Sequence, residues 1–262
     1  MAKLPLVHDM GNLQTLRSSL LPSSLGDPVF VAIDFERPQF IIDRFQHGYQ
    51  DIQVGLAILD TRCLGSTSKF TTFNFITGED TYFKDSAPIY HWGTAEKIPV
   101  TSTLLKINNC LRIYQSRSII LVGHGVSNDL AALKALGFDF QENLVIAKLD
   151  TYLLARDLQM GHLTLKNLLM ELNCPCNFKL HNAGNDANFT LRALLLLGIK
   201  AIGTADSSET SERVKILWWI AMEGVLSQKK KKCIRRKAAK TRTLEEQEEI
   251  RVKRRQHREL YG

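Results

Sequence analysis

Apolar and polar positions change period several times along the chain, and each change marks an element. Val29-Phe30-Val31-Ala32-Ile33 is an unbroken β-branched and aromatic run behind Asp27-Pro28, which predicts a buried strand. Residues 53–59 predict a second strand, and residues 70–76, alternating Phe with Thr and Asn, a third. Their short spacings suggest an antiparallel meander. Residues 78–100 show no clear period and read as a loop. Leu104, Leu105, Ile107, Leu111 and Ile113 then give residues 101–114 a helical pattern.

Strand and helix alternate from there. Residues 118–122 and 144–147 predict strands, with a helix over 128–136, closed by Gly137, between them. Helices follow at 151–158, 163–172 and 186–197, the last closed by Gly198, and another at 211–227. Before the first strand, Leu13, Leu16, Leu20 and Leu21 suggest a short amphipathic helix, and Pro22 to Gly26 a linker. Three strands followed by alternating strand and helix predict an α/β protein: a mixed central sheet, part antiparallel meander and part parallel, flanked by helices.

Composition narrows the class. The chain has 262 residues, 44% hydrophobic and 23% charged, as an ordinary globular protein does. No stretch approaches the roughly 18 consecutive apolar residues of a membrane span, and the N-terminus lacks the apolar run of a secretory signal. Five scattered cysteines point to free thiols in a reducing, intracellular compartment, nucleus or cytoplasm. Cys174-Pro175-Cys176 lacks the gap and the partner pair that zinc needs. The net charge of +7 is unevenly placed: residues 229–262 carry 14 Lys/Arg against 5 Asp/Glu, leaving 20 basic and 22 acidic residues before them. The tail could bind phosphate backbone, act as a nuclear-localisation signal, or be a solvated extension with helical Glu/Arg pairing over 244–255. In the final helix, Trp218-Trp219 reads as core packing rather than a base-stacking platform.

Chemistry concentrates in carboxylates. Asp34 and Glu36 end the first strand two residues apart and so share a face, where like charges are unfavourable unless a cation such as Mg²⁺ binds between them. An Asp-x-Glu is expected by chance roughly 0.7 times in such a chain, so alone it says little. His124 and Asp129 follow the fourth strand, and His181 and Asp186 repeat that spacing at the start of a later helix; composition predicts roughly 0.4 such pairs. Taken singly, each Asp could be a helix cap, and His181 a loop residue bonded to a carbonyl.

Together, Asp34, Glu36, Asp129, His181 and Asp186 resemble the DEDDh 3′–5′ exonucleases of the ribonuclease H-like fold, over roughly residues 28–200. Val54-Gly55-Leu56-Ala57, Leu149-Asp150-Thr151 with Leu154-Ala155-Arg156, and Leu163 to Leu168 resemble that family's intervening segments. Leu121 to His124 with Asn128-Asp129-Leu130 is close to its RNA exonucleases, and His181 to Ala187 is similar to fungal members, including those linked to small-RNA processing. The resemblance implies a ribonuclease H-like fold and hydrolysis with two divalent cations, Mg²⁺ or Mn²⁺. In it, Asp34, Glu36, Asp129 and Asp186 ligate metal and His181 is the general base. The implied substrate is the 3′ end of single-stranded RNA or DNA, RNA favoured; the alternative is a catalytically silent module that binds nucleic acid or protein.

Four further residues are candidates for substrate contact. Phe35 points away from the carboxylates and reads first as core, although in the family this position approaches the terminal base. Arg37 replaces the Thr common after the first-motif Glu, followed by Pro38 and an unusual Phe/Ile-rich segment over 37–51. Asn128 precedes Asp129, and His124 fits packing or loop bonding better than catalysis. The expected organisation is an N-terminal arm over 1–27, the exonuclease domain over 28–200, a helix within 201–228 packing on the core, and the basic tail over 229–262. A homodimer stays open.

Overall fold

In the computed structural model, the residues described are 11–21, 27–44, 48–62, 64–65, 69–176, 179–203 and 207–225. The basic tail, its proposed helical pairing over 244–255, the linker at 22–26 and residues 1–10 lie outside them. The chain divides into a unit spanning Met1–Glu223, which holds every element below, and a second unit from Gly224.

In chain order the elements are α1 (Asn12–Leu20), β1 (Val29–Glu36), α2 (Pro38–Ile42), β2 (Gln53–Asp60), β3 (Thr71–Ile76), α3 (Asp80–Ser86), β4 (Glu96–Lys97), α4 (Thr103–Leu111), β5 (Ile119–Gly123), α5 (Ser127–Ala135), β6 (Val145–Asp150), α6 (Thr151–Asp157), α7 (Leu165–Glu171), α8 (Ala183–Ile202) and α9 (Ser208–Met222). Among the described residues, no helix is long and apolar enough to cross a membrane.

The strands form one mixed sheet in the order β4-β3-β2-β1-β5-β6. β1, β2 and β3 are the predicted antiparallel meander, while β5 pairs parallel with β1 and β6 parallel with β5. This mixed sheet flanked by helices is consistent with the ribonuclease H-like fold.

Alternation along β1 sorts the molecule into two layers. Val29, Val31, Ile33 and Phe35 enter one apolar cluster with Val54, Leu56 and Ile58 of β2, Ile41 of α2, Ile107 and Leu111 of α4, and Ala132 and Leu133 of α5. The intervening residues, Phe30, Ala32, Asp34 and Glu36, face the other layer, which is built around α8. That helix is buried from Ala183 through Gly198, as a helix apolar on nearly every side must be.

Three expectations change, and segment 37–51 gains an element that its sequence did not assign. Residues 78–100 are not a featureless loop: they hold α3, a 3₁₀ turn at Ala87–Ile89 and β4, which adds a parallel strand beside β3. Two-residue strands and single helical turns are too short to show a period. Segment 37–51 contains α2, with Pro38 at its first turn. Gly198 does not close α8, which continues to Ile202; a Cβ there would come within 2.1 Å of Leu20 Cδ1, so the missing side chain makes room for α1. Trp218 and Trp219 are 46% and 42% exposed, because α9 buries Leu217, Ile220, Ala221 and Met222 instead.

α1 is seated on this layer. Leu16 and Leu20 are fully buried, Arg17 Nε donates to the Ala201 carbonyl, and Arg213 Nε of α9 donates to the Leu20 carbonyl at 2.9 Å.

Two glycines should respond differently to the same change. At Gly55, on β2, a Cβ would lie 1.9 Å from the Ala183 carbonyl oxygen, which is backbone and cannot yield. We expect Gly55→Ala to destabilise by about 3 kcal/mol or more, as overpacking against a fixed element does. Gly198→Ala meets only the tip of Leu20 and gains up to about 1 kcal/mol of helix propensity, so its net cost should be smaller. Chemical denaturation of both variants checks this; equal losses would mean that the approach of α8 to β2 is not tight.

Candidate nuclease site

The site lies where β1 outruns its parallel neighbour. Pairing with β5 reaches only Ala32, opposite Val122, whereas pairing with β2 continues to Glu36, opposite Gln53. The free edge is met by α5: Asp129 Oδ1 accepts the Phe35 backbone N–H at 2.9 Å, as a neighbouring strand's carbonyl would. Asp129 is thereby set beside Asp34 and Glu36, in the first turn of α5.

The fourth carboxylate arrives from the other layer. Asp34 and Asn74 flank Gly55 in register, and the bare backbone of Gly55 lets the first turn of α8 lie directly on β2. Gly184 is equally constrained, since a Cβ there would meet Tyr90 and Asn74 below 3 Å. Polar bonds fix the contact. The Asn74 Oδ1 accepts from Gly184 N at 3.2 Å, Gln53 Oε1 accepts from Asn182 Nδ2 at 2.8 Å, and the Asn182 side chain caps α8 through Asn185 N. Asn185 Nδ2 donates to the carbonyls of Ile89 and Lys179, and its Oδ1 accepts from His91 N at 3.0 Å. Segment 78–100, aperiodic in sequence, therefore anchors the helix that carries Asp186.

His181 precedes the cap on exposed, left-handed backbone with φ of 64°, and its N–H donates to Asp186 Oδ2 at 3.0 Å. Ligand atoms of Glu36, His181 and Asp186 lie within 4.8 Å of one another. Asp34 interacts with Asp186, Asp129 and Glu36, so all five motif residues share one centre.

That centre is electrostatically frustrated. Burial, then repulsion from Asp186, Asp129 and Glu36, pushes the Asp34 carboxyl well above its ordinary value. Burial raises Asp129 to about 7 despite its bond from Phe35 N, and raises Asp186 to about 7 as well. Glu36 rises less freely, because His181 and Arg37 oppose the effect of its burial. Asp186 Oδ1 is buried without a hydrogen-bond partner. An orphaned carboxylate oxygen among oxygen donors that repel one another fits a hard divalent cation, which would satisfy the lone pairs and cancel the charge.

The remaining candidates separate. Phe35 is 5% exposed and enters the apolar cluster of the opposite layer, as its alternation with Asp34 and Glu36 predicts. His124 is half-buried with both ring nitrogens engaged, Nδ1 at 2.9 Å from Thr151 Oγ1 and Nε2 at 3.1 Å from the Leu163 carbonyl, and burial lowers its pKa. The ring holds loops together and has no nitrogen left for substrate. Asn128 is exposed beside Asp129, and Arg37 is exposed beside Glu36.

Sequence reasoning missed Gln53, Asn74 and Asn182 as the polar bed of α8. It also passed over the work of Asp150, whose carboxylate accepts from Gly125, Val126 and Tyr152 N–H groups and so shapes the turn before Asp129. The Asn-rich opening of α8 was the available signal.

Protonation should stabilise this centre when no cation is present. Carboxyls raised from 3.8 to about 7 hold protons in the folded state that the unfolded chain releases. Their contribution to stability is therefore greatest below about pH 4 and falls as pH rises towards 7. In metal-free protein we expect Asp34→Asn to raise the Tm by about 2–6 °C at pH 8, corresponding to relief on the order of 1–2 kcal/mol, and to change it little at pH 5. Mg²⁺ or Mn²⁺ should raise the wild-type Tm more at pH 8 than at pH 5, because protons compete for the same oxygens. Thermal unfolding at the two pH values checks both; a fall in Tm for the variant at pH 8 would refute the crowding.

Comparison with known proteins agrees with this geometry. The chain is 28% identical over 122 residues to an uncharacterized nucleolar protein of Schizosaccharomyces pombe, covering 43% of this chain and 48% of that protein, so it spans about half of that relative's length. The family described as DNA polymerase III subunit epsilon-like, C-terminal domain, matches residues 29–197, which contain all four carboxylates and His181. Over that span the chain belongs to the DEDDh family, whose members are nucleases that generally use divalent metals.

Proposed function

We propose that the protein is a metal-dependent 3′–5′ exonuclease that removes nucleotides from the 3′ ends of single-stranded nucleic acid, RNA in preference to DNA. The observation that carries this reading is the convergence of Asp34, Glu36, Asp129 and Asp186 on one centre, with His181 exposed at its edge. A silent binding module would gain nothing from carboxylates that repel phosphate and raise one another's pKa.

Two Mg²⁺ or Mn²⁺ ions, held by Asp34, Glu36, Asp129 and Asp186, would neutralise the phosphodiester and acidify an attacking water. The chain's own residues do the rest. His181 takes the proton of that water and, being exposed, returns it to solvent. Its N–H bond to Asp186 Oδ2 orients the base and a metal ligand through one contact. Asp129 holds the strand end through Phe35 N and adds its charge to the cluster around Asp34. Asn128 and Arg37, both exposed and each next in sequence to a carboxylate of the cluster, are the proposed substrate contacts.

For location we propose the nucleus. The fission-yeast relative is named a nucleolar protein, and residues 229–237 of the tail contain seven Lys or Arg.

Purified protein, incubated with 3′- and 5′-labelled single-stranded RNA and DNA, should shorten substrates stepwise from the 3′ end with Mg²⁺ or Mn²⁺ and stop with EDTA. His181→Ala should lower kcat about 10²–10⁴-fold, the usual contribution of a general base, with the fold intact by circular dichroism. No cleavage under any condition would favour the binding module, and normal turnover by His181→Ala would mean that the base is misassigned. Deleting residues 229–262 should weaken oligonucleotide binding and flatten its dependence on salt if the tail touches phosphates; an unchanged slope would leave the tail a targeting or solvated segment.

A further inference from the structure

Arg37 is held in an unusual way. It follows Glu36 directly, adopts left-handed backbone with φ of 63°, and caps α2 without a side-chain bond. Because Pro38 fixes the first turn of α2, the chain must bend sharply at Arg37, which turns its side chain from the sheet towards α3. There the guanidinium lies 4.7 Å from the centroid of the Tyr82 ring and 3.7 Å from Asp51 Oδ2. The Asp51 contact is long and water-exposed, so it screens the cation without consuming it. The guanidinium lies over the tyrosine ring and is 48% exposed, so N–H groups remain accessible to a further acceptor. Arg37 is also close enough to oppose the rise in the Glu36 pKa, which places the cation at the margin of the carboxylate centre.

Tyr82 is not free to move. Its hydroxyl accepts from Gln53 Nε2 at 3.2 Å, and Gln53 is the cross-strand partner of Glu36, 4% exposed. The Oε1 of the same amide accepts from Asn182 Nδ2 at 2.8 Å and lies 3.4 Å from Ala183 N, at the cap that follows His181. One buried side chain therefore ties the ring under Arg37 to the loop that carries His181 and Asp186.

We propose that Arg37 is a phosphate-contacting residue for single-stranded nucleic acid entering the carboxylate centre, and that Tyr82 is the positioning residue that seats it, registered to His181 through Gln53. Chemistry favours this occupant. The centre attracts only the phosphodiester that its cations neutralise; the adjoining phosphate has no such partner and meets a ring of carboxylates. A half-exposed guanidinium held over the Tyr82 ring at the rim offers that phosphate a charge-assisted contact. A tyrosine support suits Arg better than Lys, whose ammonium cannot lie flat on the ring.

This inference rests on the nuclease reading, and binding separates the two. Affinity of full-length protein for a 3′-fluorescein single-stranded oligonucleotide is measured in Ca²⁺ across a range of KCl, beside turnover in Mg²⁺. We expect Arg37→Gln to weaken binding about tenfold and to reduce the salt slope by about 0.7, the loss of one phosphate contact on a single strand. Tyr82→Leu should reproduce part of that loss of affinity, and the double variant should bind no more weakly than Arg37→Gln alone, because Tyr82 acts through Arg37. Tyr82→Phe, which keeps the ring, should retain the wild-type slope, and Arg37→Lys should keep the slope but lose affinity. Additive losses in the double variant, or an unchanged slope for Arg37→Gln, would overturn the proposal. If Tyr82→Leu does not fold, the contrast between Arg37→Gln and Arg37→Lys decides it. Should the wild type bind with these dependences but cut nothing, the nuclease reading fails and the phosphate contact stands; should it cut while the slope ignores Arg37, only the contact fails.

Discussion

The rest of the structure depends on one close approach, the first turn of α8 lying against the backbone of β2 at Gly55. A side chain on Gly55 would occupy the space of the Ala183 carbonyl, and one on Gly184 would enter Tyr90 and Asn74. With both bare, helix and sheet meet backbone to backbone, and Asp186 comes within interaction distance of Asp34 across the layer boundary. The polar groups exposed by such an approach are then paired by Gln53, Asn74, Asn182 and Asn185, because a buried helix start with unmet N–H groups would be costly. Farther along, the same helix buries Leu191, Leu194, Leu195 and Leu197 completely. Apolar burial at one end of α8 thus supports the charge crowding at the other.

Crowding is what gives the centre its properties. Four carboxylates in a half-buried cluster can be relieved by protons or by cations, and at neutral pH the two compete. A cation competes best where several ligand atoms converge, as those of Glu36, His181 and Asp186 do, and Asp186 Oδ1 has no hydrogen-bond partner. Relief of that repulsion is therefore one contribution to the affinity a cation would have for the centre. Without residues 229–262 the chain carries 20 basic and 22 acidic residues, so the acidic site belongs to a near-neutral body.

Much of this was legible from residue order, and the reasons differ by element. β1 shows itself through a β-branched run, and its ending in Asp-x-Glu places both carboxylates on one face by strand alternation alone. Asp129 and Asp186 were legible because each opens a helix after a short loop. What escaped was whatever depends on contact rather than period. α2, α3 and β4 are too short to show a repeat. Gly198 read as a helix stop because glycine commonly is one, yet here it makes room for Leu20 from a segment 178 positions away in sequence. Trp218 and Trp219 read as core because tryptophan usually buries, but the face of α9 that turns inward is fixed by Leu217, Ile220 and Ala221.

Asp129 shows why residue type and residue role must be read together. In sequence it could be a helix cap, a metal ligand or both, and spacing could not choose. In the fold it does a third thing: its Oδ1 closes the hydrogen-bond edge of β1 where β5 has ended, by accepting from Phe35 N. Removing the carboxylate would leave that buried N–H unpaired and release the strand end that carries both Asp34 and Glu36, so a loss of activity on Asp129→Ala would confound chemistry with geometry. An asparagine retains the acceptor while discarding the charge, which isolates the electrostatic contribution. The same reasoning applies to Asp186, whose Oδ2 binds His181 N. In both residues one carboxylate oxygen builds the frame by accepting a backbone N–H, while the charge of the same group adds to the cluster around Asp34, so a single side chain serves both geometry and electrostatics.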